Sequence, residues 1–101
     1  MALTKKILFR GAATTTVGTT LYTVPPSTIT TVLNILVTNT ASSVGTFTIA
    51  LDSTTIHTTT SIGPNSSIYI DCAQVITAGM TITGGASATS INFHISGEEN
   101  S

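Results

Sequence analysis

The feature that most constrains the fold of this chain is a two-residue alternation of apolar and polar side chains in three separate segments. Residues 45–51, GTFTIAL, carry bulky apolar side chains at every second position, as do residues 67–72 and 90–96. A period of two places alternate side chains on opposite faces of a β-strand. No 3.6-residue apolar stripe typical of a helix appears. The sequence therefore predicts an all-β protein.

Turn-forming residues separate the predicted strands at short intervals. Pro25-Pro26, residues 39–43, Gly63-Pro64-Asn65 and Gly84-Gly85 are expected to form turns, and residues 75–79 to form a loop. Seven short strands at these spacings favour a single antiparallel β-sandwich of jelly-roll or immunoglobulin-like type. The predicted strands are residues 19–24, 29–38, 45–51, 54–58, 67–72, 80–83 and 90–96.

The composition is that of a folded domain with an unusually small number of charges. Charged residues make up 7% of the chain, against roughly 25% in an ordinary soluble domain. The hydrophobic fraction is 41% and the net charge is -1, so the chain does not resemble a disordered segment. Serine and threonine replace the missing charges. A length of 101 residues predicts one domain with one core.

The longest predicted strand, residues 29–38, carries apolar side chains at both parities. This pattern favours burial of both faces, or burial of one face in the core and of the other against another subunit. The predicted core of the domain consists of Leu33, Ile35, Val37, Phe47, Ile49, Leu51, Ile68, Ile70, Ile82, Ile91, Phe93 and Ile95.

Most charges lie at the two ends of the chain. The basic residues are Lys5, Lys6 and Arg10, and Glu98 and Glu99 lie within the last four positions. Two solvated tails would account for this distribution. The predicted division is an N-terminal arm and connector at 1–16, a β-sandwich domain at 17–97 and an acidic C-terminal tail at 98–101.

The N-terminal arm is the predicted interaction segment. Between its cations it carries three consecutive bulky apolar residues, which a solvated tail does not need. We therefore expect residues 1–10 to dock on a neighbouring subunit or particle. The alternative is that the segment forms the first strand of its own sheet, with Ile7 and Phe9 in its own core. The predicted interaction residues are Lys5, Lys6, Ile7, Leu8, Phe9 and Arg10.

No catalytic constellation is apparent in the sequence. A hydrolytic triad requires a base, and only His57 and His94 are available. A glycosidase pair would require Asp52 and Asp71, which are expected to be turn or outward-facing residues. We predict that the chain is not an enzyme and has no catalytic residues.

Cofactor and metal sites are not expected either. Cys72 is the only cysteine, so an intramolecular disulfide is impossible, and a small buried hydrophobe is its expected role. One cysteine and two distant histidines do not supply the four ligands of a structural zinc site. Gly84-Gly85-Ala86 lacks the lysine of a phosphate-binding loop.

Nucleic acid and membranes are not expected partners. Three cations give a small electrostatic footprint, and no interleaved aromatic residues form a stacking platform. No segment reaches the ~18 apolar residues of a membrane span, and the N-terminus is not that of a signal peptide. Synthesis in the cytoplasm of the cell that makes the chain is expected. Tyr22 and Tyr69 are the candidate aromatics for carbohydrate binding.

The chain resembles small β-sandwich structural proteins of tailed bacteriophages. The resemblance lies in VPPSTITTVLNILVTNTASSVGTFTIALD, followed by IGPNSSIYID and by ITAGMTITGGASATSINFHISG, and covers residues 21–97. It consists of a proline after the first strand, a long strand ending in VTNT, the segment TFTIAL, a PNSS turn and a last strand ending in ISG. The resemblance implies a virion component and brings no catalytic residues.

The resemblance leads to an expected function, location and set of partners. We expect a capsid decoration or cement protein that stabilises the particle as a homo-oligomer, with a trimer favoured. Its other expected partners are virion proteins such as the major capsid protein, and its expected location is the virion. The alternative is an accessory module of a tail, baseplate or fibre that binds a receptor or carbohydrate.

Overall fold

A computed structural model describes residues 3–100, and these residues form eight β-strands. Within this range no helix is long and apolar enough to cross a membrane. The strands, numbered in chain order, are β1 (Leu3–Ala12), β2 (Thr20–Thr23), β3 (Ile29–Asn39), β4 (Gly45–Leu51), β5 (Thr54–Ile62), β6 (Ser66–Thr77), β7 (Thr81–Ala86) and β8 (Ile91–Asn100).

The strands pair as nested antiparallel hairpins. Strand β4 pairs with β5, β3 with β6, β2 with β7, and β1 with β8. Two further antiparallel pairings, β3 with β8 and β4 with β7, join the hairpins. The result is sheet A, in the order β1-β8-β3-β6, and sheet B, in the order β2-β7-β4-β5. The all-β prediction is confirmed, and the two antiparallel sheets are compatible with the predicted sandwich.

The core lies between the inner faces of the two sheets. Most of the predicted core residues are buried; the exceptions are Leu33, which lies in a bulge of β3, and Ile68 and Ile70, which are half-buried against the core. The buried apolar residues that the prediction did not include are Leu8, Ala13, Val24, Val32, Ile62, Ile76 and Ala86.

A β-bulge in β3 explains why its apolar residues occur at both parities. Val32 and Asn34 lie opposite the adjacent residues Gly97 and Ser96 of β8, so Leu33 is the extra residue. Before the bulge, Val32 faces the core; after it, Ile35 does. The strand therefore changes phase. It does not bury both faces within this chain.

The N-terminal segment does not leave its own sandwich, and the prediction of a detached arm is wrong in this respect. Strand β1 pairs along its length with β8 and forms an edge of sheet A. A bulge between Ile7 and Phe9 allows both Leu8 and Phe9 to turn inward, so that Leu8 is buried and Phe9 packs against the core. The alternative prediction, that the segment is the first strand of its own sheet, is correct for the strand pairing. It fails for Ile7, which remains 52% exposed.

The predicted acidic tail is also part of the sheet. Glu98 and Glu99 lie within β8 and pair with both β1 and β3. Ser101 lies outside the described residues, as do Met1 and Ala2 of the predicted arm. Both ends of the chain within the described range are therefore strands held by backbone hydrogen bonds.

Two predicted irregular segments belong to strands. Residues 75–77 continue β6, and within them Ile76 reaches the core. Gly84 and Gly85 lie within β7 and do not form a turn. A Cβ atom at Gly85 would collide with the backbone oxygen of Thr16, so glycine there permits close chain packing.

One end of the sandwich is held by the buried amide of Asn39. Its Nδ2 donates hydrogen bonds to the backbone oxygens of Ser43 (2.9 Å), Ile62 (3.3 Å) and Gly63 (3.2 Å). Its Oδ1 accepts one from the backbone nitrogen of Ala41 at 3.0 Å. One side chain thus fixes the turn after β3 and the turn after β5.

Candidate interaction surface

The outer face of sheet B is covered by hydroxyl groups. Because Ile49 and Ile82 point into the core, their strand neighbours point outward. Cross-strand partners on this face include Thr20 with Thr83, Thr23 with Thr81, and Thr46 with Ser61. Such a surface hydrogen-bonds readily to water.

The outer face of sheet A is different in chemistry. The alternation places on it residues from all four strands, and this surface is called face A below. Face A comprises Leu3, Lys5, Ile7 and Arg10 of β1; Asn92, His94, Ser96 and Glu98 of β8; Ile29, Thr31, Leu33, Asn34, Leu36 and Thr38 of β3; and Ser67, Tyr69, Asp71 and Val75 of β6.

Exposed apolar side chains concentrate on face A. Of the large hydrophobic residues that are exposed within residues 3–100, the majority belong to it: Leu3, Ile7, Ile29, Tyr69 and Val75. The half-buried Leu33 and Leu36 add to the same surface. Single exposed apolar residues are ordinary on a protein surface, whereas a contiguous group marks an interaction site or a binding groove. Face A is therefore the candidate functional surface.

The strand register aligns the residues of face A in rows that cross the sheet. One row runs from Arg10 on β1 to Tyr69 on β6, and the next runs from Ile7 to Asp71. The complete rows are Arg10, His94, Leu36 and Tyr69, followed by Ile7, Ser96, Asn34 and Asp71.

A groove of about 450 Å³ lies in face A between β1, β8 and β3. The bulge of β1 lies opposite Ser96 and Ile95 of β8 and the bulge of β3 opposite Gly97 and Ser96, so the two bulges flank Ser96. A Cβ atom at Gly97 would collide with the backbone oxygen of Thr31, so only glycine permits this approach. Ile7 and Leu33 give the groove an apolar lining, and Asn34 gives it an amide.

The charges of face A are separated between its two edges. Lys5 and Arg10 lie on β1, and Asp71 lies on β6 at the opposite edge. Adjacent strands are about 4.8 Å apart, so three steps separate these edges by about 14 Å. Glu98 lies on β8, opposite Lys5 in the register. Face A therefore has a basic edge and an acidic edge.

A group of four polar side chains lies at one end of the sandwich, between the sheets. The hydroxyl of Tyr22 donates a hydrogen bond to the carboxylate of Glu99, and the Thr30 hydroxyl donates one to the Tyr22 oxygen at 2.9 Å. The Nζ atom of Lys6 lies 3.3 Å from both carboxylate oxygens of Glu99. The group links β2 of sheet B to β1, β3 and β8 of sheet A.

The pKa shifts of Tyr22 and Glu99 indicate that this group has a structural role, as a clamp between the two sheets. Burial, and then the hydrogen bond to Glu99, raises the pKa of Tyr22 to about 12. The hydrogen bond from Tyr22, and then the ammonium of Lys6, holds the pKa of Glu99 below its usual range. At neutral pH the phenol stays protonated and the carboxylate stays charged. Neither group is prepared to act as a general base or nucleophile.

The residues considered for catalysis are not brought together. His57 lies on β5 of sheet B, where Nδ1 is 3.1 Å from the Thr60 hydroxyl, and His94 lies on face A. Asp52 has a φ of 50° in the two-residue turn between β4 and β5, whereas Asp71 lies on β6. Each pair is divided between the two sheets.

Cys72 and the acidic residues form no metal site within residues 3–100, since no group of three or more His, Cys, Asp or Glu is close enough to hold an ion. Cys72 is half-buried against the core. Burial, and then the charge of Asp71, raises the pKa of its thiol, which is opposite to what a nucleophile needs.

The structure divides the six predicted interaction residues between the two sides of β1. Lys5, Ile7 and Arg10 lie on face A, where the strand register brings them into one surface. The other three are not on it, because Leu8 and Phe9 turn into the core and Lys6 binds Glu99.

Sequence reasoning missed the contribution of β6 to this surface, whereas for residues 29–38 it offered a face buried against another subunit as one of two possibilities. It identified Tyr69 only as a candidate for carbohydrate binding, and it placed Val75 in a loop. The available signal was the occurrence of apolar residues at both parities of residues 29–38, of which Leu33 and Leu36 are only half-buried. The partner strand of this segment could not be read from its pattern.

Comparisons with protein-family models, with curated proteins and with solved structures gave no match to this chain.

Proposed function

We propose that this chain is a structural protein of a bacteriophage virion, a capsid decoration or cement protein that stabilises the particle through contacts made by face A. The observation that supports this proposal most directly is the concentration of exposed apolar side chains on one face, Leu3, Ile7, Ile29, Tyr69 and Val75. An apolar surface of this kind needs a partner to cover it. Exposed apolar side chains on an otherwise hydroxyl-rich surface stabilise the protein only when a partner covers them.

The proposed sandwich is a jelly roll. Nested hairpins from β4–β5 out to β1–β8, joined by the β3–β8 and β4–β7 pairings, support this assignment. Eight antiparallel strands in two sheets are the form that viral capsid domains and lectins share. Because one fold serves many functions, the assignment adds to the proposal without carrying it.

The proposed partners are further copies of the chain, with a trimer favoured from the sequence, and other virion proteins such as the major capsid protein. Lys5, Ile7 and Arg10 keep the interaction role predicted for the N-terminal segment, now as residues of an edge strand. No enzymatic role, cofactor, nucleic acid or membrane enters the proposal.

A second candidate function is a receptor- or carbohydrate-binding module on a tail, baseplate or fibre. One observation favours it: Tyr69 is 62% exposed, with Asp71 on the same face of the same strand. Aromatic side chains next to polar groups are the usual elements of such a site. The other large apolar residues exposed on face A, Leu3, Ile7, Ile29 and Val75, are aliphatic, which favours protein contacts.

The proposal is tested by adding the purified chain to capsid shells assembled without it. Co-sedimentation of the chain with the shells at a fixed stoichiometry is the expected result. Tyr69→Ser should weaken that binding, while Val44→Ser, a comparable change at an exposed residue outside face A, should not.

Two results would decide against the decoration role. If the chain stays in the supernatant with every shell, it is not a capsid protein. Saturable binding of an oligosaccharide that Tyr69→Ser abolishes would favour the tail module in its place.

A further inference from the structure

We propose that face A pairs with face A of a second copy of this chain around a two-fold axis parallel to the strands, so that β1 of each copy lies over β6 of the other. This inference makes a second copy the partner that covers face A, so the proposed oligomer is a two-fold pair in place of the trimer favoured from the sequence. It rests on face A being an interface and not on the location of the chain in a virion.

The charge distribution of face A determines which symmetry is favourable. A two-fold axis parallel to the strands places the basic edge of one copy over the acidic edge of its partner. Each row of one copy then lies over the same row of the other copy. Arg10 therefore faces Tyr69 of the second copy, with Asp71 one row away. Complementary charges across an interface set its register.

The other in-plane two-fold axis is unfavourable for the same reason. An axis perpendicular to the strands would place β1 over β1 and reverse the order of the rows. Arg10 of one copy would then approach Lys5 of the other, and both are cations. Juxtaposed like charges oppose association. The parallel axis is therefore the arrangement that this face supports.

The apolar side chains fit the same arrangement. They lie at both edges of face A, with Leu3 and Ile7 on β1 and Tyr69 and Val75 on β6. When β1 lies over β6, Ile7 lies between the rows of Tyr69 and Val75 of the second copy, and Asp71 lies between the rows of Lys5 and Arg10. Arg10 also gains the aromatic face of Tyr69, a favourable setting for a guanidinium group.

The size of the surface suits a pair of copies. Four strands about 4.8 Å apart and about 10 residues long, at about 3.3 Å per residue, give a flat footprint of about 600 Å². Side-chain relief increases the accessible area above this footprint. Stable interfaces bury about 800 Å² on each partner. Packed sheets align their strands within about 30°, so the rows remain opposed near the axis.

The bulges give the pairing a specific feature. The groove beside Ser96 and Gly97 opens on face A, with Ile7 on its β1 side. In the proposed pair the row of Lys5 faces Val75 of the second copy, which is 60% exposed, and the row of Ile7 faces Asp71. Val75 therefore lies at the rim of the groove, one row from Ile7.

The inference is tested with two charge-reversal variants, Arg10→Glu and Asp71→Arg, by sedimentation equilibrium. The wild-type chain should form dimers. Each variant alone should raise the dimer dissociation constant by about tenfold or more, because like charges then face each other across the interface.

The decisive experiment mixes the two variants. In the mixed dimer the glutamate introduced by Arg10→Glu lies one row from the arginine introduced by Asp71→Arg in the other copy. The other contact keeps its native Arg10 and Asp71, so the dissociation constant should return to near the wild-type value. Within one chain the two positions are about 14 Å apart, which exceeds the screening length of about 8 Å at physiological salt. Rescue by mixing therefore reports a contact between copies.

A control separates charge from folding. Asp52→Asn removes a charge from the β4–β5 turn, outside face A, and should leave dimerisation unchanged. Melting curves of all variants should match the wild type, because Arg10 and Asp71 are exposed. If a reversal variant does not fold, Arg10→Gln and Asp71→Asn replace it, and each should still weaken the dimer.

Four outcomes overturn the inference: a wild-type chain that remains monomeric at the highest concentration it reaches, a wild-type trimer, reversal variants that dimerise like the wild type, or folded variants that mixing does not rescue. The result is distinguishable from a failure of the proposed function. Binding to capsid shells is measured separately, and a dimer that binds no shell would contradict the virion role alone.

Discussion

Phe47 of β4 and Phe93 of β8 meet edge-to-face between the two sheets, with their ring centroids 6.3 Å apart and their planes at 70°. Each ring comes from a different sheet, and both are fully buried. An edge-to-face pair adds to the area that the rings bury, because the positive edge of one ring meets the negative face of the other. This contact links the sheets at the centre of the core.

Loss of this contact should therefore destabilise the whole domain. Phe93→Ala is expected to lower the free energy of unfolding by about 3–5 kcal/mol through the lost burial and the cavity that remains. Denaturant unfolding followed by circular dichroism measures the change. A melting temperature within a degree or two of the wild type would place Phe93 outside the core.

Leu8 and Ile7 form a matched pair of adjacent residues that tests the position of β1. Leu8 is 7% exposed and Ile7 is 52% exposed. Leu8→Ala should cost about 2–5 kcal/mol, whereas Ile7→Ala in the isolated chain should cost about 0.5 kcal/mol or less. Thermal melts of both variants at low concentration provide the comparison. Equal, small effects would restore the interpretation of the segment as a detached arm.

The position of β1 illustrates what the sequence could and could not predict. Alternation in residues 45–51 and 90–96 was sufficient to predict strands and to assign Phe47 and Phe93 to the core. In β1 the bulge between Ile7 and Phe9 interrupts that alternation and turns two adjacent residues inward. A local pattern contains no sign of a bulge, because the extra residue is defined only by the partner strand.

Face A was harder to predict from the sequence, for a related reason. Face A is formed by the order β1-β8-β3-β6, which brings Arg10 and Tyr69 into one row across three strand pairings. Those residues are 59 positions apart in the sequence. The pattern of each strand indicates which side chains share a face. It does not indicate which strands are neighbours, so the surface follows only from the topology.

The buried amide of Asn39 should be required for the end of the sandwich that it supports. Asn39→Asp preserves the shape of the side chain but replaces the Nδ2 donor, leaving the carbonyl oxygens of Ser43, Ile62 and Gly63 beside a carboxylate. Each buried group left unpaired costs about 1–3 kcal/mol. Asn65→Asp, the same change at an exposed turn residue, is the control and should be almost neutral. If both variants unfold at the same denaturant concentration, the hydrogen bonds of Asn39 contribute little.

The clamp at Glu99 should make stability depend on pH in the acid range. The pKa of Glu99 is lowered in the folded state, so its contribution is present above the unfolded pKa of about 4.3. That contribution is lost as the pH falls through the lower folded pKa. Glu99→Gln should therefore melt below the wild type at pH 7, and the difference between the two should shrink as the pH is lowered toward about 2. A difference that stays constant, or that grows in acid, would be inconsistent with this assignment.

The central claim is that face A meets partner molecules while the hydroxyl-rich outer face of sheet B faces solvent. On the proposed virion role, cryo-electron microscopy of purified particles that carry the chain tests it most directly. The account predicts density for the sandwich on the particle, with Tyr69 and Ile7 buried against another protein chain and Thr46 and Thr83 in contact with solvent. Particles that lack the chain, or that carry it with Tyr69 and Ile7 open to solvent, would contradict the account.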